Sequence, residues 1–236
     1  MKISNLETTT VAELVSENIK TAHVFKKFGI DFCCGGGIAI SEACANQGVS
    51  LDIVSDELKK IDEVVDKAHD YQSWSIDYLI MHIENIHHSY VREALPMLAQ
   101  YAEKVARVHG HHYSELLKIK DLVEELATDL MSHMLREEQV LFPAIRRIVL
   151  QKSNEISPSS SHIQMESPIK VMMLEHEHAG NILKELSELT QGYEAPDGAC
   201  NTYRAFYSKL EEFERDLHQH VHLENNILFP KIIQMN

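Results

Sequence analysis

Apolar residues recur at spacings of three and four along most of this chain, and the two-residue alternation of a half-buried strand is hard to find. From Trp74 onward the rhythm predicts four long helices, over approximately 74–108, 112–150, 166–191 and 199–234. Three breaks separate them: HGHH, the polar stretch QKSNEISPSSSH, and QGYEAPDG. At about 1.5 Å per residue such helices are on the order of 40–55 Å long. Four rods of that length on short connections predict an all-α chain built on an antiparallel four-helix bundle, spanning 74–236. Upstream, TVAELVSENIKTAHVFKKFG reads as one helix. It opens on a capping box from Thr10 to Glu13, lines up Val11, Leu14, Val15, Ala22 and Phe25, and stops at Gly29. Helices through IAISEACANQ and LDIVSDELKKIDEVVDKA complete a small helical domain over 1–66. A unit below roughly 70–80 residues has little core of its own, so it is expected to lean on a partner or on the rest of the chain.

Two of the predicted rods carry the same polar interruption of their apolar stripe. His133 and Glu137 fall in line with Leu126, Leu130 and Leu141, and His220 and Glu224 with Phe213, Leu217 and Leu228. Each H-x-x-x-E runs into L-F-P-x-I, and the two copies stand 87 residues apart. Side chains one turn apart on an inward face reach a common point. On the third rod His176 shares a stripe with Ile169, Met172, Ala179 and Leu183. On the first, two histidines compete. His87 lies with Ile76, Ile80, Ile83 and Tyr90; His88 lies with Glu84, Val91 and Leu95. Spacing favours His88 slightly, since it precedes His133 by 45 residues, close to the 44 between His176 and His220. A chain duplicated in this way would bring four histidines and two glutamates to the middle of the bundle.

Energetics decide what such a cluster is for. A carboxylate buried without a partner costs several kcal/mol, and two facing each other repel and stay partly protonated. A pair of divalent cations removes the conflict. Mixed imidazole and carboxylate ligands in a helix bundle suit iron or manganese, the richness in histidine leans to iron, and the lack of ligating cysteine argues against a closed structural zinc site. Hydrogen-bonded core polars explain one H-x-x-x-E as well as a metal does. They do not explain two in register with histidines on the other two rods.

Composition narrows the classes. With 44% hydrophobic and 25% charged residues the chain is that of a globular protein, and the formal charge of −14 argues against a nucleic-acid partner. No apolar run approaches the roughly 18–20 residues that span a bilayer. MKISNLETTT lacks the apolar core of a secretory signal, so a cytoplasmic location and no membrane partner are expected. Fifteen histidines outnumber the eight tyrosines and seven phenylalanines. No P-loop, dinucleotide fingerprint, HExxH or serine elbow is present.

Of the four cysteines, Cys33 and Cys34 are adjacent, before a run of three glycines able to expose both thiols. A helix starting just after Gly37 would lower a nearby thiol pKa through its dipole; the competing reading is a tight turn where the cysteines merely pack. Cys44 and Cys200 are expected to be buried small apolars. His178, His222 and Glu138 are expected at the surface, and His109, His111 and His112 mostly solvated at a helix break. Pro143 and Pro230 predict a kink or break just past each H-x-x-x-E.

The bundle resembles hemerythrin-like di-iron domains. The whole chain, with DFCCGGG near the start and SHMLREEQVLFP and HVHLENNILFP in its last two-thirds, is similar to the RIC (repair of iron centres) family. The resemblance implies a non-haem centre of two iron ions and a role in restoring iron–sulfur proteins whose clusters are damaged by nitric oxide or peroxide. It also implies nitric oxide or dioxygen as a small ligand, with reduction of nitric oxide at the irons as an oxidoreductase activity. Carried over by position, the metal ligands are His88, His133, Glu137, His176, His220 and Glu224, with the glutamates bridging, and His109 is a candidate extra ligand. The resemblance favours Cys33 and Cys34 as a functional pair, with electron delivery and iron transfer both open. Gly180 stands four residues after His176, where the oxygen carriers place another histidine, which sets this chain apart from reversible oxygen carriage. The alternative function is a sensor that binds oxygen or nitric oxide. A homodimer would give the small domain something to lean on.

Overall fold

The computed structural model describes residues 6, 8–61, 70–153 and 165–235. Among them the regular elements are helices, and the sole pairing of extended backbone is one antiparallel bridge between Thr10 and Ala39. The first rod is α5 (Ile76–His82), a π-helical turn (Ile83–His88) and α6 (Ser89–His109). The second is α7 (Glu115–Arg136), a π-turn (Glu137–Leu141) and α8 (Phe142–Lys152). The third is α9 (Glu166–Leu189). The fourth is α10 (Asn201–Leu223), a π-turn (Glu224–Leu228) and α11 (Phe229–Met235).

The rods lie where the apolar rhythm predicts them; the new feature is inside them. Pro143 and Pro230 have no N–H to give to the preceding turn. The kinks expected there take the form of wide turns placed just before each proline, and a π-turn accommodates one extra residue without ending the rod. The wide turn of the first rod has no adjacent proline, so nothing in the sequence marked it.

By their contacts, residues up to Leu79 form one unit together with the stretch from Gln219 onward, and Ile80–His218 forms the other. In the second unit α6 packs along α7 and α7 along α9. Val91, Leu95 and Leu98 of α6, Leu126 and Leu130 of α7, Ile169 and Met172 of α9, and Phe206 and Phe213 of α10 are all buried. Phe213 stacks on Tyr90 with ring centres 6.2 Å apart. Each such side chain contributes about 1.5–3 kcal/mol by leaving water.

The first unit holds α1 (Val11–Glu17), α2 (Ala22–Lys27), α3 (Ile40–Gln47) and α4 (Leu51–Lys59). The capping box forms: Glu13 N–H donates to Thr10 Oγ1 at 3.1 Å, and Thr10 N–H to Glu13 Oε2 at 2.8 Å. The single helix expected through Gly29 is broken at Asn18, whose backbone is extended and whose side chain accepts from Lys20 N–H. Asparagine offers the backbone this local alternative to a helix. The need for something to lean on is met inside the unit by the chain's own C-terminal stretch. Asn226 Nδ2 donates to the carbonyls of Phe32 (3.3 Å) and Cys33 (3.1 Å), and, just beyond the small domain, Lys231 Nζ donates to those of Gln72 (2.8 Å) and Trp74 (2.6 Å).

The expected domain boundary near residue 66, the tail of LDIVSDELKKIDEVVDKA, the first residues of MKISNLETTT and most of QKSNEISPSSSH lie outside the described residues. No described helix is long and apolar enough to cross a membrane.

Candidate metal centre

In the unit Ile80–His218, Glu137 opens the wide turn of the second rod and is fully buried. Its two oxygens face different imidazoles. Oε2 lies 3.3 Å from His88 Nε2, and Oε1 lies 3.3 Å from His133 Nε2 one turn earlier on its own rod. His176 of α9 brings its Nε2 to 2.9 Å from His133 Nε2. His88, His133 and His176 are all buried. Three imidazoles and a carboxylate thus converge in the core of this unit.

Each flanking histidine is held from behind. His88 Nδ1 is 2.6 Å from Glu138 Oε1, and Arg92 reaches both oxygens of that glutamate at 2.6 Å. His133 Nδ1 is 2.7 Å from Glu175 Oε2, which Arg136 also grips at 2.6 Å. Burial pushes the Glu138 and Glu175 carboxyls up, but the hydrogen bonds from Arg92 and His88, and from His133 and Arg136, outweigh it and hold both below the usual carboxylate range. An anion behind Nδ1 accepts its N–H and keeps the proton there, so the lone pair of each ring sits on Nε2, pointing inward. Inward lone pairs, a buried carboxylate and no thiolate make a donor set suited to iron.

In the other unit the C-terminal stretch carries the second pair. His220 Nε2 lies 3.2 Å from Glu224 Oε1, both are buried, and Glu224 opens the wide turn of the fourth rod. The cysteine loop belongs to the same unit. Cys33 is buried and Cys34 half-buried, so the glycine run does not expose both thiols. Asp31 organises the loop. Its carboxylate accepts from the backbone N–H of Cys33 (2.8 Å), Cys34 (3.0 Å) and Gly35 (2.8 Å), and from the Cys33 thiol at 3.2 Å. The neighbouring Cys34 sulfur, 3.8 Å away, together with burial and the Asp31 charge, raises the Cys33 pKa well above its ordinary value. The expected lowering by a helix dipole fails because α3 begins only at Ile40, six residues beyond Cys34.

Several expectations need correction. Glu138 is half-buried and engaged, and His222 is not a surface group. Glu138 holds His88, and His222 is fully buried, with Ser16 Oγ 3.2 Å from its Nε2 and Asn226 Nδ2 3.1 Å from its Nδ1. Burial holds the His222 imidazole down to about 4, so it is neutral at physiological pH. Asn226 also donates to the Cys33 carbonyl at 3.1 Å. Cys200 is exposed, with His109 Nε2 3.3 Å from its sulfur. His109 closes α6, roughly 30 Å along that helix from His88 at 1.5 Å per residue, and is not among the converging groups. His87 turns away from Glu137, with its Nδ1 3.1 Å from Asp216. His178 is exposed beside Glu125 and Asp129. Sequence reasoning missed Glu175, Arg92 and Arg136; the faint signal was an arginine one turn after each of His88 and His133.

Residues 79–232 match the family model of the hemerythrin HHE cation binding domain, and residues 7–62 match a domain of unknown function, DUF542. The chain is 36% identical over 226 residues to the iron-sulfur cluster repair protein ScdA of Staphylococcus haemolyticus, covering 94% of this chain and 96% of that one. It is 34% identical over 225 residues to the iron-sulfur cluster repair protein YtfE of Dickeya chrysanthemi, covering 95% and 96%. A Yersinia pseudotuberculosis protein of the same name is 35% identical over 211 residues, covering 89% and 90%.

Proposed function

Because this chain belongs to the hemerythrin-like iron-sulfur cluster repair family, we propose that it is itself a di-iron protein that restores damaged iron–sulfur clusters in the cytoplasm. The ligands are His88, His133, Glu137, His176, His220 and Glu224, all within the 79–232 match to the cation-binding family. The observation that carries the reading is the division of Glu137 between two histidines, one oxygen toward His88 and the other toward His133, as a carboxylate shared by two cations would be placed. Glu138 and Glu175 fix the tautomers that aim the imidazoles inward. Two ferrous ions held there would supply both iron for a depleted cluster and electrons for the reduction of nitric oxide.

The proposed partition follows the two family matches, with a cysteine-bearing domain over 1–66 and the metal-bearing bundle over 74–236. Cys33 and Cys34 serve as a redox pair or as transient iron ligands, and the Cys34 sulfur and burial, with Asp31 adding to them, keep Cys33 protonated until it is called on. The clients are iron–sulfur proteins damaged by nitric oxide or peroxide.

The test is metal content followed by repair. The purified full chain is expected to hold about two irons, and Glu137→Ala and Glu224→Ala to lose them while keeping their helix content. Iron-loaded protein is expected to reactivate a [4Fe–4S] hydro-lyase that nitric oxide has inactivated. Wild-type iron content in both variants, or no reactivation beyond that given by the same amount of free ferrous iron, would overturn the proposal.

A further inference from the structure

The two histidines that flank Glu137 are held alike but stand in different surroundings. His88 is fully buried, and its ring lies nearly parallel to Phe142, 5.9 Å away, itself fully buried. His133 and His176 instead line a cleft of about 450 Å³ between α7 and α9. Its walls include Arg136, Leu174 and Glu175. The pair that holds His133 is therefore also part of the passage leading to it. A space of this size takes several water molecules, each needing about 30 Å³. It also admits small carboxylate or thiolate acceptors.

We infer that the chain gives up its two irons in sequence, first the one held by His133 and His176, through the cleft between α7 and α9, with Glu175 and Arg136 as the catch. The inference rests on the proposed di-iron reading and goes beyond it by naming which iron is delivered and by what route. Glu175 acts as a positioning residue. Its hydrogen bond to Nδ1 keeps the His133 ring turned inward, and Arg136 keeps Glu175 in place. An acidic acceptor entering the cleft meets the half-exposed Arg136 first. Once Arg136 turns to that acceptor, Glu175 is loosened, His133 is free to rotate, and the iron loses a nitrogen ligand on the side that faces the cleft. On the His88 side, Glu138 and Arg92 hold the ring in the same way, but Phe142 covers its face.

Full-length protein loaded with two ferrous ions is mixed anaerobically with excess colorimetric ferrous chelator, and release is followed in time. Wild type is expected to release about one iron per chain in a fast phase and the other in a slow one. Glu175→Gln is expected to speed the fast phase by about 10-fold or more, the scale on which loss of such a partner weakens metal binding. It should leave the slow phase in place. Leu174→Trp, at an exposed position on the cleft wall, is expected to slow the fast phase. Glu138→Gln should speed the slow phase only. A structural role for Glu175 would move both phases together. Release of both irons at one rate, a fast phase that answers to Glu138→Gln and not to Glu175→Gln, or indifference to Leu174→Trp would overturn the inference. Failure to load two irons at all would overturn the reading of the site as well, and would be seen before any chelator is added.

Discussion

Glutamine at position 137 separates a metal ligand from a core residue by the sign of its effect. Glu137 is fully buried, and a carboxylate placed there costs several kcal/mol in desolvation that its neighbours must offset. Glutamine keeps the shape and removes the charge. In chelator, Glu137→Gln is therefore expected to match wild type to within about 1 kcal/mol or to exceed it, since the facing imidazoles of His88 and His133 can rest neutral. With iron the order reverses. Free iron at a hundred times the dissociation constant stabilises the wild type by about 2.7 kcal/mol. For a chain of this size each kcal/mol moves the melting temperature by about 2–4 °C, so the metal-dependent shift should be on the order of 5–10 °C. Glu137→Gln should show almost none of it. The assay is thermal unfolding followed by far-ultraviolet circular dichroism, run anaerobically with iron and with chelator. A variant that melts well below wild type in chelator, or that keeps the full shift on adding iron, refutes the reasoning.

Asp31→Asn should make Cys33 more reactive. Its pKa is raised, in part by the Asp31 charge, so little thiolate is present near pH 8, and removing that charge shifts the alkylation profile of Cys33 to lower pH; an unchanged profile by mass spectrometry would count against the assigned cause. Gly36→Ala would set a Cβ 2.4 Å from the Phe32 carbonyl oxygen and 3.1 Å from the Ala12 side chain, and is expected to cost about 1–3 kcal/mol. Trp74, the chain's single tryptophan, lies in the same unit and reports that loss as a lower denaturant midpoint by fluorescence.

The four rods were legible because each buries one stripe, and a stripe at helical spacing survives in the sequence as a rhythm. The polar groups that interrupt that stripe were legible for the same reason, being apolar positions filled by histidine or glutamate. Glu138 and Glu175 were not, because each sits one residue from a candidate ligand and looks like any solvated acid until a second rod is laid beside it. His222 misled in the opposite direction. Helical geometry put it off the apolar stripe of its rod, but within its own unit Ser16 lies against its ring. The break at Asn18 was hidden by a good capping box and an unbroken stripe, which outvoted one asparagine.

The wide turns at Glu137 and Glu224 each behave as a single residue added to an otherwise regular rod. Removing one residue from Glu137–Leu141 would let the backbone wind regularly. Because the wide turn has already absorbed that residue, everything after it would keep its face, with Phe142 and Ile145 still turned to the interior. What would close is the widened backbone that Glu137 opens, beside the carboxylate and not under the core. A chain shortened by one residue there is expected to fold with its apolar packing intact and to show the loss at the metal-binding groups alone, so the length of this turn answers to chemistry and not to folding.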